Sequence, residues 1–125
     1  MTNAQITQYD PPRVYARASR AGDFIFLAGT CGDIDEDPIS GDLAEQTHRL
    51  FQNMRDTLAL FDAELSDVVR TVVYMVSNDD RKVFLAIRKQ YITTPVPSTT
   101  IIVKDLYPGF LVEVDAIAYA PSARP

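Results

Sequence analysis

Glu113 and Asp115 stand two residues apart in the segment Leu111-Val112-Glu113-Val114-Asp115-Ala116-Ile117-Ala118. Side chains alternate along a strand, so both carboxyls share a face with Leu111 and Ile117, while Val112, Val114, Ala116 and Ala118 share the other. A carboxyl on a half-apolar face is suited to general acid or base work, because partial desolvation moves its pKa toward neutrality. Two acids on one strand face also describe ordinary solvated surface, which is the commoner case. The remaining chemistry is sparse. One cysteine, Cys31, and one histidine, His48, cannot assemble a metal motif, and no glycine-rich phosphate loop is present, so those classes are set aside. Cys31 follows an apolar strand end and reads either as a small buried filler or as a thiol bordering a cleft. His48 falls among polar helix positions and reads as a surface residue.

These groups need a scaffold. Residues 95–120 read as two strands, Ser98–Lys104 and Phe110–Tyr119, around a tight turn containing Pro108 and Gly109. Upstream, Met1–Asp10 holds a short edge strand around Ile6 and Tyr9, broken by Pro11 and Pro12. Val14–Ser19 reads as a strand with Tyr15 and Arg17 on one face. Ala21-Gly22-Asp23 then makes a hairpin turn into the buried strand Phe24–Gly29. Cys31–Asp42 is an acidic loop. Leu43–Ala63 is a helix, with Asp42 and Glu45 in capping-box positions and a stripe of Leu43, Thr47, Leu50, Phe51, Met54, Leu58 and Phe61. Val68–Val76 is apolar enough to be central in its sheet, and a second helix over about Asp79–Tyr91 presents Val83, Phe84, Ile87 and Tyr91.

The order β-β-β-α-β-α-β-β makes a single domain over residues 1–125, an α+β two-layer sandwich with two helices on one face of a mixed five- to six-stranded sheet. A length of 125 residues sustains one core. A net charge of −5, with Arg13, Arg17 and Arg20 dispersed, argues against a nucleic-acid partner. No long apolar run argues for a membrane, and a lone cysteine fits a reducing, cytoplasmic setting. Two helices leave the other sheet face, with Tyr15, Arg17, Glu113 and Asp115, uncovered; self-association is the economical way to cover it.

Four segments taken in order, Gly22–Gly29, Gly41–Thr47, Leu65–Tyr74 and Leu111–Ala118, resemble the RidA/YjgF family of enamine/imine deaminases over essentially the whole chain. The resemblance implies a fold like that of bacterial chorismate mutase, a homotrimer, small-metabolite sites in the clefts between subunits, and no cofactor. It also implies hydrolysis of short 2-imino or enamino acids to 2-oxo acids and ammonia. By the same resemblance Glu113 is the catalytic carboxyl, Tyr15 a pocket tyrosine, and Gly29 and Thr30 the strand end lining the cleft. Ser98 and Thr100 line the cleft from the opposing strand. There the family's carboxylate-binding arginine is replaced by Ser98 in Val96-Pro97-Ser98-Thr99-Thr100.

A serine cannot make the bidentate, permanently charged contact of a guanidinium. The chain therefore resembles an arginine-lacking branch, with Arg17 as the candidate replacement cation. Two functions stay open: a deaminase or hydrolase of altered specificity, and a non-catalytic metabolite-binding or regulatory trimer. Ribonuclease activity, attached to some members, fits the acidic chain least.

Overall fold

The computed structural model describes residues 5–7 and 13–121. β1 (Gln5–Thr7) and β2 (Ala18–Ala21) lead into β3 (Phe24–Thr30), and the β2–β3 turn uses Gly22 at φ 61°, where glycine carries no steric penalty. The strand expected over Val14–Ser19 pairs only from Ala18 onward. Residues 13–17 are irregular instead, held by side chains: Arg13 forms an ion pair with Glu36 and donates to the Tyr15 hydroxyl at 3.2 Å. Tyr9 and the Pro11-Pro12 break lie outside the described residues.

Within the expected loop 31–42, β4 (Asp33–Ile34) and β5 (Asp37–Pro38) form a small hairpin. Its turn residues Asp35 and Glu36 take φ 51° and 76°, the left-handed pair that a two-residue hairpin turn requires.

α1 (Leu43–Ala59) starts at Asp42, whose carboxylate accepts from the Glu45 N–H at 2.9 Å. Leu43, Thr47, Leu50, Phe51, Met54 and Leu58 are buried along its inner side, with Phe61 beyond its end, so the expected stripe is the core-facing one. The helix ends at Ala59 instead of Ala63, because Asp62 turns left-handed at φ 57° and the Ala63 N–H returns to the Leu58 carbonyl at 3.0 Å. β6 (Val68–Met75) follows. α2 (Arg81–Arg88) is shorter than expected, because the chain first makes a tight turn over Asn78–Asp80, capped by the Ser77 hydroxyl on the Asp79 N–H at 3.2 Å. β7 (Ser98–Ile102) and β8 (Val112–Tyr119) complete the chain.

One sheet has the order β1-β2-β3-β8-β6-β7, with β6 and β7 parallel and every other pair antiparallel. The mixed two-layer α+β architecture is therefore as expected, but the expected hairpin of the last two strands is not formed. α2 makes β6-α2-β7 a crossover unit, which places β7 parallel to β6 on its far side. The turn at Tyr107–Phe110, with Gly109 at φ 90° and the Phe110 N–H on the Tyr107 carbonyl at 3.0 Å, joins strands that are not neighbours.

β8 is central. Val112, Val114 and Ala118 are fully buried beneath the helix layer, beside Ile25, Val73 and Met75. Gln46, also fully buried, donates to the Ser40 and Gly109 carbonyls at 2.7 and 2.9 Å and accepts from the Leu111 N–H at 2.9 Å. It thereby fixes the approach to β8, and with it the height at which Glu113 leaves the strand.

Candidate functional site

Glu113 lies on β8 with β3 on one side and β6 on the other, on the face the helices leave open. Opposite it, the β3–β8 register shifts between Leu27 and Thr30, so Ala28 and Gly29 stand in a bulge. Gly29 leaves room for this placement of the carboxyl: a Cβ would sit 2.5 Å from Glu113 Oε2 and 2.7 Å from Cδ, so any side chain there would push the carboxyl aside. The missing side chain lets the carboxyl lie against the backbone. Just past the bulge, the Cys31 thiol donates to Glu113 Oε1 at 3.4 Å. The Thr30 hydroxyl donates to the Ala28 carbonyl at 3.2 Å and so serves the bulge. From α1, Asn53 Nδ2 donates to the Cys31 carbonyl at 3.0 Å and to Asp33 Oδ1 at 3.0 Å, holding the 31–33 segment against the helix.

The electrostatics follow from this packing. Burial raises the Glu113 pKa, the neighbouring Asp115 charge raises it further, and the Cys31 hydrogen bond opposes both. Burial is also the main reason the Cys31 thiol is held far above its ordinary range, with the Glu113 charge and hydrogen bond next and Asp33 last. Cys31 is therefore a thiol donor here and not a thiolate nucleophile. We expect alkylation of Cys31 at neutral pH to be much slower than that of a free thiol, checked by mass spectrometry; rapid, complete labelling would contradict this arrangement. Tyr74 donates to Asp115 Oδ2 at 3.0 Å, and that bond is the leading cause of its raised pKa. A shallow cavity of about 300 Å³ adjoins this group, lined by Phe26, Ala28, Gly29, Arg70, Val72 and Asp115 among others.

The other expected residues are distributed as follows. The Arg17 carbonyl accepts from the Ala28 N–H at 2.9 Å, so its backbone borders the bulge. Tyr15 is 53% exposed and sits with Arg13, whose guanidinium carbon is 5.9 Å from its ring centre. The shared strand face expected for Tyr15 and Arg17 is not formed, because both precede β2. Ser98 and Thr100 lie on β7, in register with Thr71 and Val73. Thr71 in turn pairs with Ala116, a residue of the buried face, so Ser98 and Thr100 are on the helix side of the sheet. Glu113 is on the other side, and β6 intervenes, a lateral offset of about 10 Å. One chain does not bring Ser98 and Glu113 together.

Among the described residues, no group of three His, Cys, Asp or Glu could hold a metal ion, and no helix is long and apolar enough to cross a membrane. Residues 6–120 match the family described as Endoribonuclease L-PSP. A RutC family protein of Pyrococcus abyssi is 33% identical over 111 residues, covering 84% of this chain and 85% of that one. Reactive Intermediate Deaminase A, chloroplastic, of Arabidopsis thaliana is 30% identical over 107 residues, 83% of this chain and 57% of that one. The crystal structure of a Mycobacterium tuberculosis member of the YjgF/YER057c/UK114 family superposes with a TM-score of 0.81 at 28% identity, covering 93% of this chain and 98% of that one. The chain belongs to the RidA/YjgF family.

In this RidA/YjgF-family chain, three residues that the sequence left unremarked support the groups around Glu113 and Ser98. Tyr74 was legible in principle, since alternation along β6 places it with Val72 on the open face. Asn53 reads as an ordinary polar helix position, and only the fold of the 31–33 segment gives it a task. Arg88, in the last turn of α2, donates from Nη1 to Thr71 Oγ1 at 2.8 Å and to Ser98 Oγ at 3.4 Å. His48, expected on the surface, is half-buried with Nδ1 2.7 Å from the Tyr91 hydroxyl, joining α1 to the turn that follows α2.

Proposed function

We propose that this RidA/YjgF-family protein hydrolyses a small imine or enamine to the corresponding carbonyl compound and ammonia, with Glu113 as the working carboxyl. The observation that carries this reading is the Glu113 carboxyl itself: half-buried, raised in pKa, lying against Gly29 of the bulge and hydrogen-bonded by the Cys31 thiol. In the ionised form it takes a proton from water as the water oxygen bonds to the imine carbon. It returns that proton to nitrogen to give the amino alcohol, then carries the remaining hydroxyl proton to nitrogen as the C–N bond breaks and the C=O bond forms, leaving the carbonyl product and ammonia. No oxidant or reductant is involved.

Glu113 on the open face and Ser98 on the helix side read as two half-sites that meet only when subunits assemble. Phe24, Phe26 and Tyr119 on that open face are each more than 40% exposed, which favours a homotrimer that covers them. Light scattering is expected to give a trimer at micromolar concentration; a monomer or dimer would remove the shared cleft. The acidic net charge of −5 stands against ribonuclease activity. The lone, half-buried cysteine suits a reducing compartment such as the cytoplasm.

The test is ammonia release from imino acids generated in situ by an amino-acid oxidase. Acceleration by the wild-type protein supports the proposal. Tight binding of 2-oxo acids with no acceleration across aliphatic and aromatic imines would favour a metabolite-binding trimer. The serine at position 98 is the observation on that side.

A further inference from the structure

We infer that Arg88, together with the hydroxyls of Thr71 and Ser98, forms a site for a small carboxylate at the β6–β7 edge of the sheet. Hydrogen accounting leads there. Thr71 is fully buried; its N–H is committed to the Pro97 carbonyl at 3.1 Å, and its hydroxyl lies 2.7 Å from that of Ser98. Arg88 Nη1 donates to both oxygens, at 2.8 and 3.4 Å. Whichever hydroxyl donates to the other, one hydroxyl hydrogen is left over, and Ser98, at an exposed position, can present it outward. Arg88 Nε and Nη2 likewise have no acceptor among the described residues, and no carboxylate there forms an ion pair with this guanidinium. What remains is a cluster of donors around a half-buried positive charge.

Partial burial of that charge presses the Arg88 pKa downward, a cost that a bound anion would offset. The carbonyls at the end of α2 offset this only in part. A carboxylate suits these donors best, because the Nε–Nη2 edge of a guanidinium is a planar fork matched to its two oxygens. A single cation on a chain of net charge −5 disfavours polyanions. The site also meets the position where the resemblance predicts an arginine: Arg88 supplies, from a helix, the charge that Ser98 lacks. It rests on the proposed deaminase reading only in naming the bound group as the substrate's own carboxylate.

Titration calorimetry of the full chain with 2-oxobutanoate, a stable 2-oxo acid, tests the site. Saturable binding is expected, and the uncharged counterpart 2-butanone should not bind. Arg88→Gln should weaken binding by about tenfold or more, and Arg88→Lys, which keeps the charge without the fork, by less. Lys89→Gln, at the exposed neighbouring cation, should bind like wild type, and thermal melting of Arg88→Lys checks that the edge still folds. Wild-type protein that fails to bind, 2-butanone that binds equally, or Arg88→Gln within about twofold of wild type would each overturn the inference. Binding lost in Arg88→Gln when no imine is turned over would support the site and sink only the enzyme. Turnover unchanged in Arg88→Gln would spare the enzyme and sink the site.

Discussion

Glu113→Gln is expected to lower ammonia release by about 10²–10⁴-fold while the protein remains folded and assembled. Glutamine keeps the volume of the side chain against Gly29 and can still meet the Cys31 thiol, but it cannot carry a proton to or from water. If Glu113 acts in its ionised form, kcat/KM rises with pH along a limb above the ordinary glutamate range near 4.3, because burial first and Asp115 second lift its pKa. Cys31→Ala should move that limb further up, since the thiol's hydrogen bond favours the ionised form. A limb that stays in place would mean the thiol does not act on Glu113. The stability sign is opposite to that of a salt-bridged acid. With its folded pKa raised, Glu113 contributes stability that is fully present below its unfolded pKa and lost as pH rises through the folded one. The Tm of Glu113→Gln relative to wild type should therefore improve between pH 4 and pH 7.

The second large effect is on folding. Met54→Ala and Leu58→Ala should each destabilise the protein by about 2–5 kcal/mol in denaturant titrations. Both side chains are fully buried where α1 meets the sheet, in the same cluster as Val112 and Val114 of β8. Removing either leaves a void between the helix and the strand that holds Glu113 at its other face. A change below about half a kcal/mol at either position would mean that this face of α1 is not the core face.

Local periodicity made part of the structure legible. The α1 stripe and the β8 alternation are patterns within single elements, and both are as the sequence implies, from Leu43 to Leu58 and from Val112 to Ala118. The turn at Gly22 was legible for the same reason. What failed was non-local. Ser98–Lys104 and Phe110–Tyr119 look like a hairpin because they are adjacent in sequence, but α2 carries β7 across to pair with β6. That one change of partner puts Ser98 on the helix side, beside Arg88 and away from Glu113. Arg17 was the expected cation because it shares an apparent strand with Tyr15; with no strand over residues 13–17, that geometry is gone. Arg88 carries no signal in its own neighbourhood, since a basic residue in the last turn of a helix is explained by the helix dipole alone.

The central claim is that the working site is divided between chains, with Glu113 contributed by one and the Ser98 edge by another. Subunit complementation tests it most directly. Glu113→Gln removes the carboxyl, and Ser98→Trp, at an exposed edge position, fills the opposite half-site. Each variant alone should be inactive. Co-assembled in equal amounts, with mixed trimers verified by native mass spectrometry, they should recover roughly one quarter of wild-type ammonia release, because about that fraction of clefts receives an intact half from each side. Mixed trimers with no more activity than either parent would contradict a shared site.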